Sequence, residues 1–169
     1  MPSTPAPPPA PVLTPLADGG DLGLVDALAQ LSFILQGALS RIAASHGLSL
    51  VQLRLLGILR DRRPTITELA RLLQLDKSSI TGLVDRAESR GLVERVPSEL
   101  DGRSVQVRIT RAGRALVTRG AAEFAGEVDE LTAGLTASQQ ARLSSLSSRV
   151  VVAAAARQGI DVFEVDRTG

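Results

Sequence analysis

The sequence predicts a mainly α-helical protein with a small β-hairpin, and three observations support this fold class. Apolar residues recur every three or four positions over most of the chain, as they do on amphipathic helices. Two short runs instead alternate apolar and polar residues, as the strands of a hairpin do. Helix-capping signals divide the helical part, and two short helices directly precede the hairpin. This order predicts a winged helix-turn-helix with a hairpin wing, flanked by further helices.

Residues 1–20 are expected to be a disordered, proline-rich tail. Seven of the nine prolines of the chain lie there, mixed with Ala, Ser and Thr. Proline cannot donate a backbone hydrogen bond, and the segment has too little apolar surface to offset its ordering entropy. A ligand for a proline-recognition domain is the alternative. Residues 160–169 are expected to form a second tail.

A long amphipathic helix is expected from Asp21 to Ser45. Its apolar stripe consists of Leu24, Leu28, Leu31, Leu35, Leu39 and Ile42. Gly47 is placed to end this helix in the left-handed conformation.

Capping residues mark the next three helices. The pairs Ser49/Gln52 and Thr65/Glu68 match the capping box, in which each side chain satisfies an amide of the other residue. Asp76 is placed to cap the third helix by accepting from amides of its first turn, a contribution of about 1 kcal/mol. A tight turn is therefore expected between the helix that Thr65 caps and the helix that Asp76 caps.

The third of these helices has an outer face suited to the major groove of DNA. Its apolar residues repeat at helical spacing and are predicted to face the core: Ile80, Leu83, Val84 and Ala87. A helix can enter the groove only if the side chains near its N-terminus are small and polar. The candidate contacts are Lys77, Ser78, Ser79, Thr81, Gly82 and Arg86. We expect the hydroxyls and first-turn amides to contact phosphates, with the two cations supplying the ionic part.

Strands are expected from Leu92 to Val96 and from Val105 to Ile109, joined by a loop that holds Asp101 and Arg103. An Arg at the tip of such a hairpin can enter the adjacent minor groove of DNA. An ordinary surface turn with a neutralised ion pair is the alternative. Asp85, on the preceding helix, is expected to orient Arg86 or another Arg, or else to accept from a cytosine amino group.

The charge distribution favours the same region. Between Arg60 and Gly120 there are 13 Lys or Arg against 8 Asp or Glu, whereas the whole chain has 19 against 18. A basic segment in an acidic remainder is expected of a nucleic-acid-binding module, although an ordinary solvated face would have the same composition.

Several absences exclude other classes of protein. The chain has no Cys and one His, which excludes disulfides, thiolate nucleophiles and Cys-containing zinc sites. There is also no Gly-rich phosphate loop, so we predict no metal site, no cofactor, no catalytic residues and no enzymatic activity. No unbroken apolar run reaches the roughly 18 residues of a membrane span, and a signal-peptide pattern is missing. We therefore expect a cytoplasmic protein without a membrane partner.

The C-terminal third predicts self-association. Thr110 and the capping box Thr136/Gln139 each open a helix, and the second helix contains the run VVVAAAA from Val150 to Ala156. A helix that is apolar on every side must be buried, and a domain of this size has little interior for it. We therefore assign residues 114–159, together with the helix of residues 21–47, to dimerisation.

From Leu69 to Arg95 the sequence reads LARLLQLDKSSITGLVDRAESRGLVER; Asp101, Gly102 and Arg103 follow, and then Ile109, Thr110 and Gly113. This combination resembles the MarR family of winged-helix transcriptional regulators, and helix order extends the resemblance more weakly over residues 21–159. The resemblance implies that residues 48–113 bind double-stranded DNA. It also implies a homodimer with interlaced terminal helices, recognition helices in successive major grooves, and wings in the flanking minor grooves. Asp101 would brace Arg103, which would contact the DNA.

The resemblance further implies repression of neighbouring genes, relieved in many members by a small phenolic or other aromatic acid. Such an effector would bind between the dimerisation and DNA-binding regions, where the candidate ligand residues are Arg41, His46 and Arg54. His46 could instead be only a partly exposed residue at a helix end. The wing has no cation between Pro97 and Gly102, unlike many family wings, so helix contacts are expected to dominate. The alternative function is a winged-helix protein-interaction module that does not bind specific DNA.

Overall fold

The computed structural model describes residues 20–98 and 104–160, and in these residues it has six helices and two strands. In chain order these are α1 (Gly23–Ser45), α2 (Leu50–Leu59), α3 (Ile66–Leu73), α4 (Lys77–Ser89), β1 (Val93–Pro97), β2 (Val105–Ile109), α5 (Arg111–Thr132) and α6 (Ala137–Arg157). The mainly α-helical fold with one antiparallel hairpin is as predicted. The described residues divide into two compact units, of which the first ends at Ile34 and the second begins at Leu35.

The N-caps of α2 to α6 are those that the sequence predicted. Each capping side chain accepts a hydrogen bond from the amide three residues on, and the caps are Ser49, Thr65, Asp76, Thr110 and Thr136. α1 differs, because it begins at Gly23 instead of Asp21. The Asp21 carboxylate accepts from the Gly23 amide at 2.9 Å and so stands just before the helix.

Left-handed residues follow four of the helices, and one of them is Gly159, which follows α6 with a φ of 64°. Gly47 has a φ of 65° and follows α1 as predicted, and Gly91 has a φ of 68° just after α4. Gln74 ends α3 with a φ of 55°, although it carries a Cβ. No pattern in the sequence indicates this conformation, because Gln rarely adopts it.

The core of the second unit lies where α2 to α5 meet the hairpin. Its fully buried large side chains are Leu55, Leu56, Leu59, Leu69, Ile80, Val84, Val93 and Val107. All four apolar residues predicted to face inward from α4 are buried. The buried side of α4 therefore fixes which of its residues remain outside.

The hairpin is shifted slightly from its predicted position. β1 pairs antiparallel with β2 from Val93↔Ile109 to Pro97↔Val105, so the first strand begins one residue late. Leu92 is buried before the strand, where its carbonyl accepts from the Thr110 amide at 3.1 Å. The Ser98 amide donates to the Ser104 carbonyl at 2.9 Å and closes the base of the wing loop.

The hairpin is also attached to the connection between α2 and α3. The Val107 amide donates to the Pro64 carbonyl at 2.9 Å, and Thr65 forms an isolated antiparallel bridge with Gln106. These contacts extend the two-stranded sheet by one short segment. They position the base of the wing against the helical part of the domain.

α1 is long and apolar enough to cross a membrane, which the sequence did not predict. The helix has 23 residues, and the polar residues between its apolar ones are mostly Gln and Ser, with few charged residues. The core helix of a soluble protein or a signal sequence can be equally long and apolar, so α1 alone does not establish a membrane span. In the first unit, several large apolar side chains of α1 are exposed: Leu24, Val25, Leu28, Phe33 and Ile34.

No residue of α6 is buried within the chain. Val150 and Val151, in the run expected to be buried, are 61% and 56% exposed. The expectation of burial is therefore not met within one copy of the chain. The assignment of residues 21–47 and 114–159 to dimerisation remains a prediction.

Candidate nucleic-acid interface

The structure places all six predicted recognition residues on the outer side of α4. Ile80, Leu83, Val84 and Ala87 are buried against the core. Lys77, Ser78, Ser79, Thr81 and Arg86 are exposed, and Gly82 is half-buried between them. The face has the small residues and cations that approach to a DNA groove requires.

A hydrogen-bond network organises the first turn of this face around Asp76. The Ser78 hydroxyl donates to Asp76 Oδ1 at 2.5 Å, and the Ser79 hydroxyl donates to Oδ2 at 2.7 Å. The Ser79 amide also donates to Oδ1, at 2.8 Å. These bonds, with the Ser78 hydroxyl contributing most, hold the pKa of Asp76 well below its usual range. The cap is therefore an ionised carboxylate at neutral pH.

Thr81 completes the pattern one turn later. Its hydroxyl donates to the Lys77 carbonyl of the same helix at 2.8 Å. From the sequence we expect the hydroxyls of this face and the first-turn amides to contact phosphates; in the structure, the three hydroxyls and the Ser79 amide donate within the protein. Their hydrogens are bound to the Asp76 carboxylate and to the Lys77 carbonyl.

The two cations of the face remain available. Within the described part of the chain, neither Lys77 nor Arg86 forms a side-chain ion pair or hydrogen bond. A Cβ added to Gly82 would lie 3.3 Å from Arg86 Nη1, so the guanidinium folds back over this glycine. Lys77 and Arg86 are therefore the groups that can pair with phosphates or with guanine acceptors.

Arg95 links the wing to the recognition helix, although no pattern in the sequence indicates this role. From β1, Arg95 Nη2 donates to Asp85 Oδ1 at 2.6 Å, Nη1 pairs with Glu88, and its amide donates to Glu88 Oε1 at 3.1 Å. Burial lowers the pKa of Arg95, but the Asp85 hydrogen bond and the Glu88 charge more than offset this and raise it. Asp85 therefore orients another Arg, one of the predicted alternatives, and that Arg is Arg95.

The tip of the wing, with Asp101 and Arg103, lies outside the described residues. Its strands carry two further cations, both paired: Arg95 with α4, and Arg108 with Glu94 of the opposite strand at 3.0 Å. The wing loop begins and ends at the Ser98–Ser104 hydrogen bond. The DNA contact predicted for Arg103 remains a prediction.

Two of the three candidate ligand residues are already paired with carboxylates of α5. Arg41 lies 2.8 Å from Glu127, and His46 Nε2 lies 2.9 Å from Glu123, one helical turn away. Arg54 is exposed on α2. In residues 20–98 and 104–160, no cluster of His, Asp and Glu could hold a metal ion.

The main chain beside His46 also contacts the recognition helix. Arg90, the residue that ends α4, donates to the carbonyls of Gly47 at 2.7 Å and His46 at 3.2 Å. The turn between α1 and α2 is thus joined to α5 through the His46 side chain and to α4 through its carbonyls.

Comparisons with known proteins agree with this geometry. A family model described as MarR family matches residues 46–104. The chain is 26% identical to the HTH-type transcriptional regulator PecS of Dickeya dadantii over 131 residues, covering 75% of this chain and 79% of PecS. It is 35% identical over 89 residues to the multiple antibiotic resistance protein MarR of Escherichia coli, covering 52% of this chain and 61% of that protein.

The fold extends the similarity beyond the matched segments. A crystal structure of wild-type E. coli MarR in its apo form superposes with a TM-score of 0.65 at 26% identity, covering 78% of this chain and 98% of that one. The family model contains the recognition helix and β1, and the structural match covers most of the chain. Residues 46–104 match the MarR family of DNA-binding transcriptional regulators, and the fold over most of the chain is similar to that of E. coli MarR.

Proposed function

We propose that the protein is a homodimeric repressor of nearby genes that binds a pseudo-palindromic DNA site, with half-sites about one helical turn apart. One observation carries the dimer: α6 has no residue buried within the chain, although it presents Leu143, Leu146, Val150 and Val151. Apolar surface of this kind on a helix is stable in water when a second copy covers it. The protein acts in the cytoplasm and has no enzymatic activity.

The recognition helix supplies the main DNA contacts in this proposal. Lys77 and Arg86 pair with phosphates or guanine acceptors, because neither is bound elsewhere among the described residues. Arg103, braced by Asp101, reaches the minor groove from the wing. Since most other cations near the helix are paired, a few contacts provide most of the ionic attraction.

A salt titration tests DNA binding against the alternative of a protein-docking face. We expect a footprint on the DNA upstream of the protein's own gene, and an association constant that falls steeply as salt rises from about 50 to 200 mM. A protein-docking face would give no footprint and little salt dependence. A reporter placed behind that DNA should be expressed more strongly when the protein is absent.

Substitutions on α6 test the dimer. Leu146→Asp places a charge in the exposed apolar stripe, whereas Ser145→Asp adds the same charge to the polar side of the helix. We expect sedimentation to show dimers at micromolar concentration for the wild type and for Ser145→Asp, and mainly monomers for Leu146→Asp. A wild-type monomer under these conditions would contradict the proposal.

We also propose that a small aromatic acid releases the protein from DNA. Arg41 and His46 already bind the carboxylates of Glu127 and Glu123, so an acid could replace these partners, with Arg54 as a further cation on α2. Benzoate and 4-hydroxybenzoate are suitable probes. Either should lower the anisotropy of a labelled duplex bound to the wild type and have less effect on Arg41→Ala. An unchanged anisotropy up to millimolar acid would contradict this part only.

A further inference from the structure

Three hydroxyl groups lie on the recognition face, and all three use their hydrogen within the protein. Ser78 and Ser79 donate to the Asp76 carboxylate, and Thr81 donates to the Lys77 carbonyl. A hydroxyl has one hydrogen and two lone pairs. Because a carboxylate and a peptide carbonyl can only accept, the direction of these three bonds is fixed. Each oxygen can therefore only accept a hydrogen bond from a molecule outside.

We propose that the hydroxyl face, consisting of Ser78, Ser79 and Thr81, recognises bases through their amino groups. This inference rests on the proposed insertion of α4 into the major groove. There, adenine N6 and cytosine N4 are the donors, whereas guanine and thymine present acceptors at the same edge. The face therefore selects adenine or cytosine on the strand that it contacts, and rejects guanine or thymine.

The cations of the same helix have the opposite preference. Lys77 and Arg86 are donors only, and neither is bound to another side chain in the described part of the chain. They suit phosphates and the guanine acceptors O6 and N7. α4 therefore has donors and acceptors at separate positions, and Asp76 makes the Ser78 and Ser79 hydroxyls acceptors towards an outside molecule.

Asp76→Asn reverses one hydroxyl without changing the shape of the cap. Asp76 Oδ1 accepts from the Ser79 amide at 2.8 Å and from Ser78, and an Asn oxygen can keep both bonds. Oδ2, which accepts from the Ser79 hydroxyl at 2.7 Å, is replaced by an NH₂ group that donates. The Ser79 hydrogen is then free to point outward. Asn is as good an N-cap as Asp, so α4 should still form.

The test is selection of preferred duplexes from a random library by the full chain and four variants: Asp76→Asn, Ser78→Ala, Ser79→Ala and Ser89→Ala. Ser89 is the control, since its hydroxyl lies in the last turn of α4 and donates to the Arg86 carbonyl. The position that loses its preference in Ser79→Ala is the one that Ser79 contacts. We expect adenine or cytosine there for the wild type and for Ser89→Ala, and guanine or thymine for Asp76→Asn.

A second measurement uses the wild type alone, so it does not depend on a variant that folds. In the selected duplex, the adenine or cytosine is replaced by an analogue that lacks the exocyclic amino group. We expect affinity to fall roughly three- to tenfold, as loss of one direct hydrogen bond does. Replacing adenine by an analogue that lacks N7 should leave affinity unchanged.

The outcomes separate this inference from the proposed function. If the wild type enriches no duplex sequence from the library, both the proposed DNA recognition by α4 and this inference are wrong. If the wild type selects a motif with guanine or thymine at the Ser79 position, the inference alone is overturned. The same holds if Asp76→Asn folds and selects the wild-type motif, or if removal of the amino group leaves affinity unchanged.

Discussion

Replacing Gly113 by Ala should destabilise the protein, although Ala usually favours a helix. Gly113 is buried in the first turn of α5. A Cβ at this position would lie 2.2 Å from the Leu92 carbonyl oxygen and 2.8 Å from Ile109 Cγ1. The oxygen belongs to the main chain and cannot rotate away. α5 must therefore move by about 1 Å relative to the segment that leads into the wing.

The cost can be estimated from the contacts that this movement disturbs. Overpacking of this kind costs about 1–3 kcal/mol. The Thr110 amide donates to Leu92 at 3.1 Å and its hydroxyl donates to Gly91 at 2.7 Å, and each weakened bond adds about 1 kcal/mol. Ala favours the helix over Gly by about 1 kcal/mol, which offsets part of this loss. We therefore expect a net loss of about 2–4 kcal/mol, which lowers Tm by about 5–15 °C.

Thermal and urea unfolding, followed by circular dichroism at one fixed protein concentration, measure this effect. Gly57→Ala is the matched control, because Gly57 is helical and exposed on α2, with no atom within 4 Å of its added Cβ. It should leave stability unchanged or raise it by up to about 1 kcal/mol. If Gly113→Ala were as stable as Gly57→Ala, the close approach of α5 to Leu92 would not constrain this position.

Three further substitutions or titrations test other parts of the structure. Arg95→Gln should lower the free energy of unfolding in urea by about 1 kcal/mol more than Arg108→Gln does. The reason is that Arg95 bonds two carboxylates of α4, whereas Arg108 bonds one carboxylate of the opposite strand. Equal losses would argue against the link between β1 and α4. By carboxyl-carbon NMR, Asp76 should remain ionised at about pH 3, where an ordinary Asp is largely protonated. Because the pKa of Asp76 is lowered in the folded state, its contribution to stability is present above the ordinary Asp pKa and is lost as pH falls towards the folded-state pKa. An ordinary titration curve for Asp76 would contradict the hydrogen-bond network around it. Arg103→Ala should weaken duplex binding by about 1–3 kcal/mol, and unchanged affinity at every salt concentration would exclude the wing contact.

The elements that sequence could predict are those specified by short-range patterns. Capping boxes place both partners within four residues, so the starts of α2, α3 and α6 follow from residue types alone. The inward face of α4 follows in the same way from helical spacing. The left-handed Gln74 could not be predicted, because Gln rarely adopts this conformation and no pattern in the sequence indicates it.

The exposure of the candidate recognition face was predictable, but the direction of its hydrogen bonds was not. The residue types of Ser78, Ser79 and Thr81 indicate a small polar face, yet a hydroxyl can either donate or accept. Only the placement of Asp76 and the Lys77 carbonyl determines which of the two occurs. Similarly, the partners of Arg95 lie on a different element, and no local pattern connects β1 with α4.

The bonds from Arg95 to Asp85 and Glu88 have a consequence for the DNA itself. The first strand of the wing, β1, is held against the recognition helix by a side chain that is only 28% exposed. If α4 and the wing make the proposed contacts, the duplex must present its major and minor grooves to them in one fixed phase. One extra base pair between these contacts turns the second groove by about a tenth of a helical turn. The protein would then have to give up one contact or bend the duplex, so the spacing within a half-site should be as strictly selected as its bases.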